Sequence, residues 1–179
     1  MELSEEILKQ EILREPRPGQ LLLYQGRELR LVVEHSQRRP RITVDGNSLS
    51  VNFYELLPQP ALLSVLLDWY RQQAVRTLTG RAGLWTEKIG KPFGRLSVRD
   101  QRSRWGSCSS GGNLNFNWRL IMAPPEVLDY VVIHEAAHLR ELNHSPRFWE
   151  IVAEYDPEFR AHKLWLKKYG DVLFRLPAV

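Results

Sequence analysis

The motif His134-Glu135-Ala136-Ala137-His138 constrains this chain more than any other part of its sequence. In an α-helix, residues four positions apart share a face and lie about 6 Å apart along the axis, so both imidazoles can face one metal ion. Glu135 is turned by about 100° from His134, where its carboxylate can hold a metal-bound water without ligating the ion. Two histidine ligands with a general base between them are typical of zinc-dependent hydrolases. The motif therefore predicts a helix that carries a hydrolytic metal site.

The residues around the motif are those of a buried helix. Pro124-Pro125-Glu126 is a helix-start signal, because proline is tolerated in the first turn and an acid is favourable at the positive end of the helix dipole. Apolar residues then recur at helical spacing: Val127, Leu128, Val131, Val132, Ala136 and Leu139. We expect a helix over residues 125–142.

A catalytic zinc usually takes three protein ligands, and His144 is the first candidate for the third. It lies ten residues after His134, which is the offset of the third histidine in H-E-x-x-H-x-x-G-x-x-H enzymes. Those enzymes have glycine where this chain has Glu141, so another residue must end the helix. Asn143 tolerates the left-handed conformation that ends many helices. Ser145-Pro146 is then the N-cap and first residue of the next helix.

A carboxylate from that next helix is the competing third ligand, as in enzymes with two histidines and a glutamate. Glu150 and Glu154 are the candidates, although the apolar face of the helix leaves both on its flank or outside. The sequence leaves this choice open. Two or three histidines suit zinc and also suit nickel, cobalt or iron.

The order of elements predicts an α+β fold rather than a parallel α/β fold. An N-terminal antiparallel β-meander is expected first, then helices broken at Gly80, a second small sheet, the helix with the motif and C-terminal helices. The strands are expected at 21–24, 28–33, 41–44, 48–53, 96–105 and 113–120, with turns at Gln25-Gly26, Arg39-Pro40, Asp45-Gly46 and Gly111-Gly112. The helices are expected at 60–79, 84–89, 125–142, 146–155 and 157–169.

At 179 residues the chain has the size of one domain. We expect a tail or short helix over residues 1–18 and a single domain over 19–179. Within that domain, residues 19–57 form the β-meander and residues 58–179 form the core with the metal site.

The strand over residues 113–120 alternates apolar and polar side chains. Asn113, Asn115 and Asn117 lie on its polar face, just before the helix with the motif. If this strand is a sheet edge above the site, a peptide can add to it as a further strand, and the three asparagines become substrate-binding residues. The alternative is a paired interior strand.

Further polar residues have expected or alternative roles. The candidates for stabilising an oxyanion are Tyr130, Tyr155 and His162, and Asp156 and Glu141 are candidates for orienting the ligand histidines. Each can equally be structural. Cys108 is a conceivable ligand, but it lies far from the motif, and such a cysteine is more often a small buried hydrophobe.

Composition restricts the function classes. A single cysteine excludes an intrachain disulfide framework, no stretch approaches the roughly 18 apolar residues of a membrane span, and the N-terminus is not a secretory signal. We therefore expect a cytoplasmic protein. The formal net charge of +4 is mild for a nucleic-acid binder. Two basic clusters, Arg38, Arg39 and Arg41, and Arg99, Arg102 and Arg104, keep nucleic acid as a minor alternative.

Several runs of the C-terminal half together resemble the YgjP-like metallopeptidase family, a zincin-type group distantly similar to SprT-like proteases. The runs are Arg104-Trp105-Gly106-Ser107-Cys108, Leu114-Asn115-Phe116-Asn117-Trp118-Arg119-Leu120, Asp129-Tyr130-Val131-Val132-Ile133-His134-Glu135, Asn143-His144-Ser145 and Phe148-Trp149. The resemblance spans roughly residues 20 to 170. It implies zinc on His134, His138 and His144, Glu135 as the base, and a peptidase whose natural substrates are largely undefined.

The sequence thus favours a zinc-dependent metallopeptidase that acts on peptides or proteins through a water activated by Glu135. A second interpretation is a non-catalytic, metal-stabilised binding module, with DNA association as a variant of it. The sequence does not determine the oligomeric state.

Overall fold

The computed structural model of the chain describes residues 2–9, 15–35, 41–53, 59–101 and 103–175. The helices are α1 (Glu5–Lys9), α2 (Gln59–Ile89), α3 (Pro125–Ala137), α4 (Pro146–Tyr155) and α5 (Phe159–Leu173), with a 3-10 helix at Trp118–Met122. The strands are β1 (Leu21–Tyr24), β2 (Arg27–His35), β3 (Arg41–Asp45), β4 (Ser48–Phe53), β5 (Leu96–Arg99), β6 (Gly106–Cys108) and β7 (Leu114–Asn117). The expected α+β fold class is confirmed.

The first sheet has the strand order β1-β2-β4-β3, so the expectation of a β-meander is wrong in its strand order. The pairs β1–β2 and β3–β4 are antiparallel, but β2 pairs with β4 in parallel. Burial explains the order, because Leu49 and Val51 of β4 are fully buried whereas β3 is half exposed. The strand with the more apolar side chains therefore takes the central place. The expected turn at Arg39-Pro40 includes residues outside the described ranges.

Helix α2 is one continuous helix of 31 residues, and the expected break at Gly80 is wrong. Glycine costs about 1 kcal/mol in a helix interior, which is less than the gain from a long buried face. That face consists of the fully buried residues Leu66, Leu67, Tyr70, Ala74, Leu78 and Ala82. The helix ends before Gly90, whose φ of +76° is the left-handed conformation of a C-terminal cap.

The second sheet has the order β5-β7-β6, with β7 in the centre. Strand β7 pairs in parallel with β5 and antiparallel with β6. The expected strand over 96–105 is interrupted, because β5 ends at Arg99 and β6 begins only at Gly106. The expected strand over 113–120 ends at Asn117, whose side chain accepts a hydrogen bond from the backbone N–H of Arg119 (3.0 Å) and caps the 3-10 helix.

The C-terminal helices follow the expected order with shifted ends. Helix α3 ends at Ala137 instead of residue 142, α4 has the expected bounds, and α5 continues past Gly170 to Leu173. Gly170 does not end α5 because it is the contact point for a neighbouring ring. A Cβ atom placed there would lie 3.1 Å from Cζ2 of Trp105.

Helix α3 is held in the centre of the molecule. Ten of its thirteen residues are buried, and Asp129 accepts two hydrogen bonds from the guanidinium of Arg81 on α2. One cluster of buried residues runs from Leu29 and Leu49 in the first sheet through Phe116 and Val132 to Leu173. None of the helices in the described ranges has the length and apolarity that a membrane span requires. The helix with the motif is therefore a rigid platform for the side chains that point out of the core.

Candidate metal centre and active site

Three histidines converge at the C-terminal end of α3. His134 lies in α3, His138 caps its end, and His144 lies in the turn before α4. One ring nitrogen from each lies within 4.8 Å of those of the other two, and the Nε2 atoms of His134 and His144 are 3.1 Å apart. The structure thus brings together the three residues that the sequence predicted as metal ligands.

The turn between α3 and α4 brings His144 back over α3. Because α3 ends at Ala137, residues 138–145 form the turn, which closes with a hydrogen bond from the backbone N–H of Ser145 to the carbonyl of Asn143 (2.8 Å). Asn143 is not left-handed, contrary to expectation, since Gln25 is the one non-glycine residue with positive φ in the described ranges. Ser145 is the N-cap of α4 as expected, and its hydroxyl accepts from the N–H of Phe148 (3.3 Å).

Phe148 forms the floor under the three histidines. Its ring centroid lies 4.5 Å from that of His138, 4.7 Å from that of His144 and 4.9 Å from that of His134. Phe148 is fully buried. A single apolar ring from α4 therefore supports all three imidazoles and excludes water from beneath them.

The orientation of His138 depends on a main-chain group. Its Nδ1 lies 3.0 Å from the carbonyl oxygen of Glu141, which accepts the Nδ1 proton and leaves the Nε2 lone pair for the cluster. We expected a carboxylate of Glu141 or Asp156 in this role. Glu141 contributes its backbone oxygen instead, and the Asp156 carboxylate bonds Nδ1 of His162 (2.9 Å).

The competing third ligands lie outside the cluster. Glu150 and Glu154 are exposed on α4, and the group within the described residues whose geometry suits a metal ion consists of the three histidines. Cys108 is half-buried on β6, and burial raises the pKa of its thiol to about 11. It is not a member of the group either.

Burial disfavours the protonated form of two of the three imidazoles. Burial, followed by the neighbouring His138 and His144, lowers the pKa of His134 to about 3, and burial also lowers the pKa of His138. Nδ1 of His134 is buried with no hydrogen-bond partner in the described part of the chain. Converging imidazole nitrogens are the donor set that zinc prefers, so these residues fit a metal ion of that class.

Glu135 lies beside the cluster and against strand β6. It is 7% exposed, and burial raises the pKa of its carboxyl to about 7, although the backbone N–H of Cys108 and the charge of Arg104 act in the opposite direction. Gly106 makes this contact possible, because a Cβ atom there would lie 2.6 Å from Cγ and 2.7 Å from Oε1 of Glu135. A carboxyl with a pKa near 7 has the proton affinity of a general base.

Strand β6 is an edge of the second sheet. Backbone hydrogen bonds from Asn117 to Trp105 (2.9 Å) and from Ser109 to Asn113 (3.0 Å) set its pairing with β7. In this antiparallel register, the backbone groups of Gly106 and Cys108 point away from β7. The free edge of β6, the side that does not pair with β7, therefore lies beside Glu135, which already accepts from the N–H of Cys108.

The expectation that residues 113–117 form this edge is wrong, since β7 is paired on both sides. The three asparagines are engaged within the protein. The Asn113 side chain accepts from the N–H of Arg95 (2.9 Å), Asn115 donates to the Ser107 hydroxyl (3.4 Å), and the buried Asn117 donates to the carbonyl of Gln101 (2.6 Å).

A cleft of about 380 Å³ opens beside Glu135 and His134. Its other lining residues are Arg104, Trp105, Gly106, Tyr130, Val131, Lys163, Leu166 and Lys167. The contribution of α5 is not predictable from the sequence, because nothing in the local pattern of residues 163–167 indicates which face of that helix packs towards α3.

Of the three candidates for stabilising an oxyanion, Tyr130 is the one that lines the cleft. Burial, with the nearby charges of Asp156 and Glu135, raises the pKa of its phenol to about 12, so the hydroxyl keeps its proton. The Tyr155 hydroxyl donates to the carbonyl of Lys88 on α2 (3.1 Å), and His162 is paired with Asp156.

The described ranges contain only part of the two basic clusters. Arg38, Arg39 and Arg102 lie outside those ranges, while Arg41 and Arg99 are exposed ends of strands. Arg104 belongs to the cleft.

Comparisons with known proteins identify the family. A family model described as YgjP-like, metallopeptidase domain, matches residues 2–169. The fold is similar to a metallopeptidase zymogen of Pyrococcus abyssi, abylysin, with 20% identity and a TM-score of 0.46 over 57% of this chain and 99% of the other. It is also similar to a metallopeptidase zymogen of Methanocaldococcus jannaschii, jannalysin, with 16% identity and a TM-score of 0.45 over 53% of this chain and 96% of the other. No curated protein matches significantly.

The family match extends over nearly the whole chain and includes both the three-histidine cluster and Glu135. The chain therefore belongs to the YgjP-like family of metallopeptidase domains.

Proposed function

We propose that this protein is a zinc-dependent metallopeptidase in which His134, His138 and His144 bind the ion and Glu135 is the general base. The observation that carries the proposal is the convergence of three imidazoles beside a buried carboxylate, in a cleft open to substrate. The family membership supports peptide bonds as the substrate class.

The protein residues supply complementary parts of the hydrolysis. When bound, zinc polarises the scissile carbonyl and acidifies the attacking water. Glu135 takes the proton of that water and passes it to the leaving amine, roles that its raised pKa suits. Gly106 and the N–H of Cys108 hold the carboxylate in place.

Tyr130 is the proposed donor to the oxyanion. Its ring lies 5.9 Å from that of His134, and its phenol remains protonated at neutral pH. A hydroxyl in a partly buried cleft can stabilise the negative charge that develops on the carbonyl oxygen.

The free edge of β6 is the proposed place for the substrate backbone. Gly106 has both its N–H and its C=O on this edge, so an extended peptide can pair with it as a further strand above Glu135. This proposal replaces the expected role of Asn113, Asn115 and Asn117.

Metal content tests the ligand set. After dialysis against zinc and then buffer, the wild type should retain one zinc per chain by elemental analysis, and the His144→Ala variant should lose it. His162→Ala is the matched control, because that histidine lies outside the cluster. A wild type without zinc, or a His144→Ala variant with full zinc, contradicts the ligand set.

Activity tests the role of Glu135. The zinc-loaded wild type should cleave a mixture of peptides, and Glu135→Gln should retain zinc while losing hydrolysis. Glu150→Gln is the control for a glutamate that is exposed and outside the cluster. Full activity in Glu135→Gln would refute the assignment of the base. A zinc-loaded wild type without any hydrolysis would favour the metal-stabilised binding module.

A further inference from the structure

The cleft beside Glu135 is positively charged. Its lining includes three cationic side chains, Arg104, Lys163 and Lys167, and within the described residues Glu135 is its one carboxylate. All three cationic residues are exposed, so their charged groups are available to a ligand that enters the cleft.

The cations come from two separate segments that line the cleft. Lys163 and Lys167 are four residues apart on α5 and share a face with the buried Leu166. Arg104 precedes β6, next to Trp105 and Gly106. A group that enters the cleft therefore meets positive charge from both segments.

Several other cations of the protein are paired with carboxylates. Arg81 bonds Asp129, Arg119 bonds Asp100, and Lys168 bonds Glu2. In the described ranges, no carboxylate forms an ion pair with Arg104, Lys163 or Lys167. The Nζ atom of Lys163 lies 5.0 Å from the centre of the Trp149 ring, which fixes it near the histidines.

Lys163 and Lys167 are like charges one helical turn apart on α5. Like charges at positions i and i+4 disfavour a helix, so the two lysines gain stability when an anion lies between them.

We propose that Lys163, Lys167 and Arg104 form a subsite that binds a carboxylate of the peptide substrate, so that the enzyme prefers an acidic side chain next to the scissile bond. The inference rests on the proposed peptidase function and names its substrate class. The cleft volume of about 380 Å³ is at the small end of ligand sites and suits one or two side chains.

The test measures binding separately from turnover. Zinc-loaded Glu135→Gln protein is immobilised and exposed to a pool of random octapeptides with amidated C-termini, and retained peptides are sequenced by mass spectrometry. Exposed ion pairs are each worth up to a factor of about five, so we expect Asp and Glu to be enriched about fivefold over Asn and Gln. The enrichment should disappear at 1 M salt.

Charge reversal identifies the residues. Lys163→Glu/Lys167→Glu in the same background should invert the preference towards Lys and Arg, and Lys163→Gln/Lys167→Gln should abolish it. Lys168→Glu is the matched control, since it changes the same charge on the same helix outside the cleft. A second pool with free C-termini distinguishes a terminal carboxylate from an acidic side chain as the bound group. If the subsite also binds a terminal carboxylate, peptides without Asp or Glu are retained from this second pool but not from the amidated pool.

Two results overturn the inference. One is equal retention of acids and their amides, and the other is an acidic preference that survives both double substitutions. Retention of a single-stranded oligonucleotide in place of acidic peptides also contradicts it. Cleavage of the same pool by the zinc-loaded wild type is measured in parallel. If the peptidase proposal fails, no cleavage is seen; if only the subsite proposal fails, cleavage is seen but acidic peptides are not enriched.

Discussion

Replacing Gly106 by alanine is expected to disable catalysis while the fold and the metal site remain in place. The added Cβ would lie 2.6 Å from Cγ of Glu135, whereas ordinary contacts begin at 3.4 Å. Glu135 must therefore move by about 0.8 Å, and a displacement of about 1 Å in a reacting group can cost about a hundredfold in rate. We expect kcat to fall by about that factor.

The Gly106→Ala variant should remain folded, with a moderate loss of stability. Gly106 lies in a strand and does not have positive φ, so alanine can adopt its backbone conformation. Crowding in a packed site costs about 1–3 kcal/mol, and the carboxylate can relieve part of it by turning into the cleft. Urea unfolding should place the variant within this range of the wild type, and elemental analysis should find full zinc.

Gly111→Ala is the matched control. It lies in the turn between β6 and β7, and a Cβ atom there would be 3.8 Å from its nearest neighbours. We expect its kcat on the peptide mixture to equal that of the wild type. If zinc-loaded Gly106→Ala keeps a kcat within twofold of the wild type, the argument that Gly106 positions Glu135 is refuted.

Three further predictions concern stability. Burial lowers the pKa of His134 to about 3, so between pH 6.5 and 5 the unfolded chain takes up a proton that the metal-free native state does not. Over this range, His134 should lower the free energy of unfolding by about 1.4 kcal/mol for each pH unit of acidification. Urea unfolding of the metal-free His134→Gln variant should lack this contribution to the pH dependence. Gly80→Ala should stabilise α2 by about 1 kcal/mol, because a Cβ has open space there, whereas Gly90→Ala should destabilise by about 1–2 kcal/mol because its φ is +76°; equal effects in thermal unfolding would contradict this. Asn117→Ala should cost about 1–3 kcal/mol by leaving the carbonyl of Gln101 unbonded, and an unchanged melting temperature would refute its structural role.

Much of the candidate site could be predicted from local sequence. The spacing of His134, Glu135 and His138 fixes their relative positions once the segment is helical, and Ser145-Pro146 marks the start of α4. The convergence of these histidines with His144 follows from a short turn, which limits how far the chain can travel. Their roles as ligands stay predictions until metal content is measured.

What could not be predicted depends on contacts between distant segments. Alternation identified β7 as a strand but not its central place, which is decided by pairing with β5 and β6. The break expected at Gly80 was outweighed by the buried face of α2. The lysines of the cleft are ordinary exposed residues by sequence, and their importance arises from the packing of α5 against α3.

The position of Phe148 beneath all three histidines has a consequence for folding. His134 lies in α3, whereas His144, ten residues later, lies in the turn that leads into α4. An ion that both histidines bind in the folded protein, and that the unfolded chain does not hold, stabilises the folded state by about 2.7 kcal/mol at a free concentration of about a hundred times its Kd. Metal loading and the docking of α4 through Phe148 are thus thermodynamically linked. Under the proposed ligand set, the concentration of free ion sets the stability of the folded protein as well as its activity.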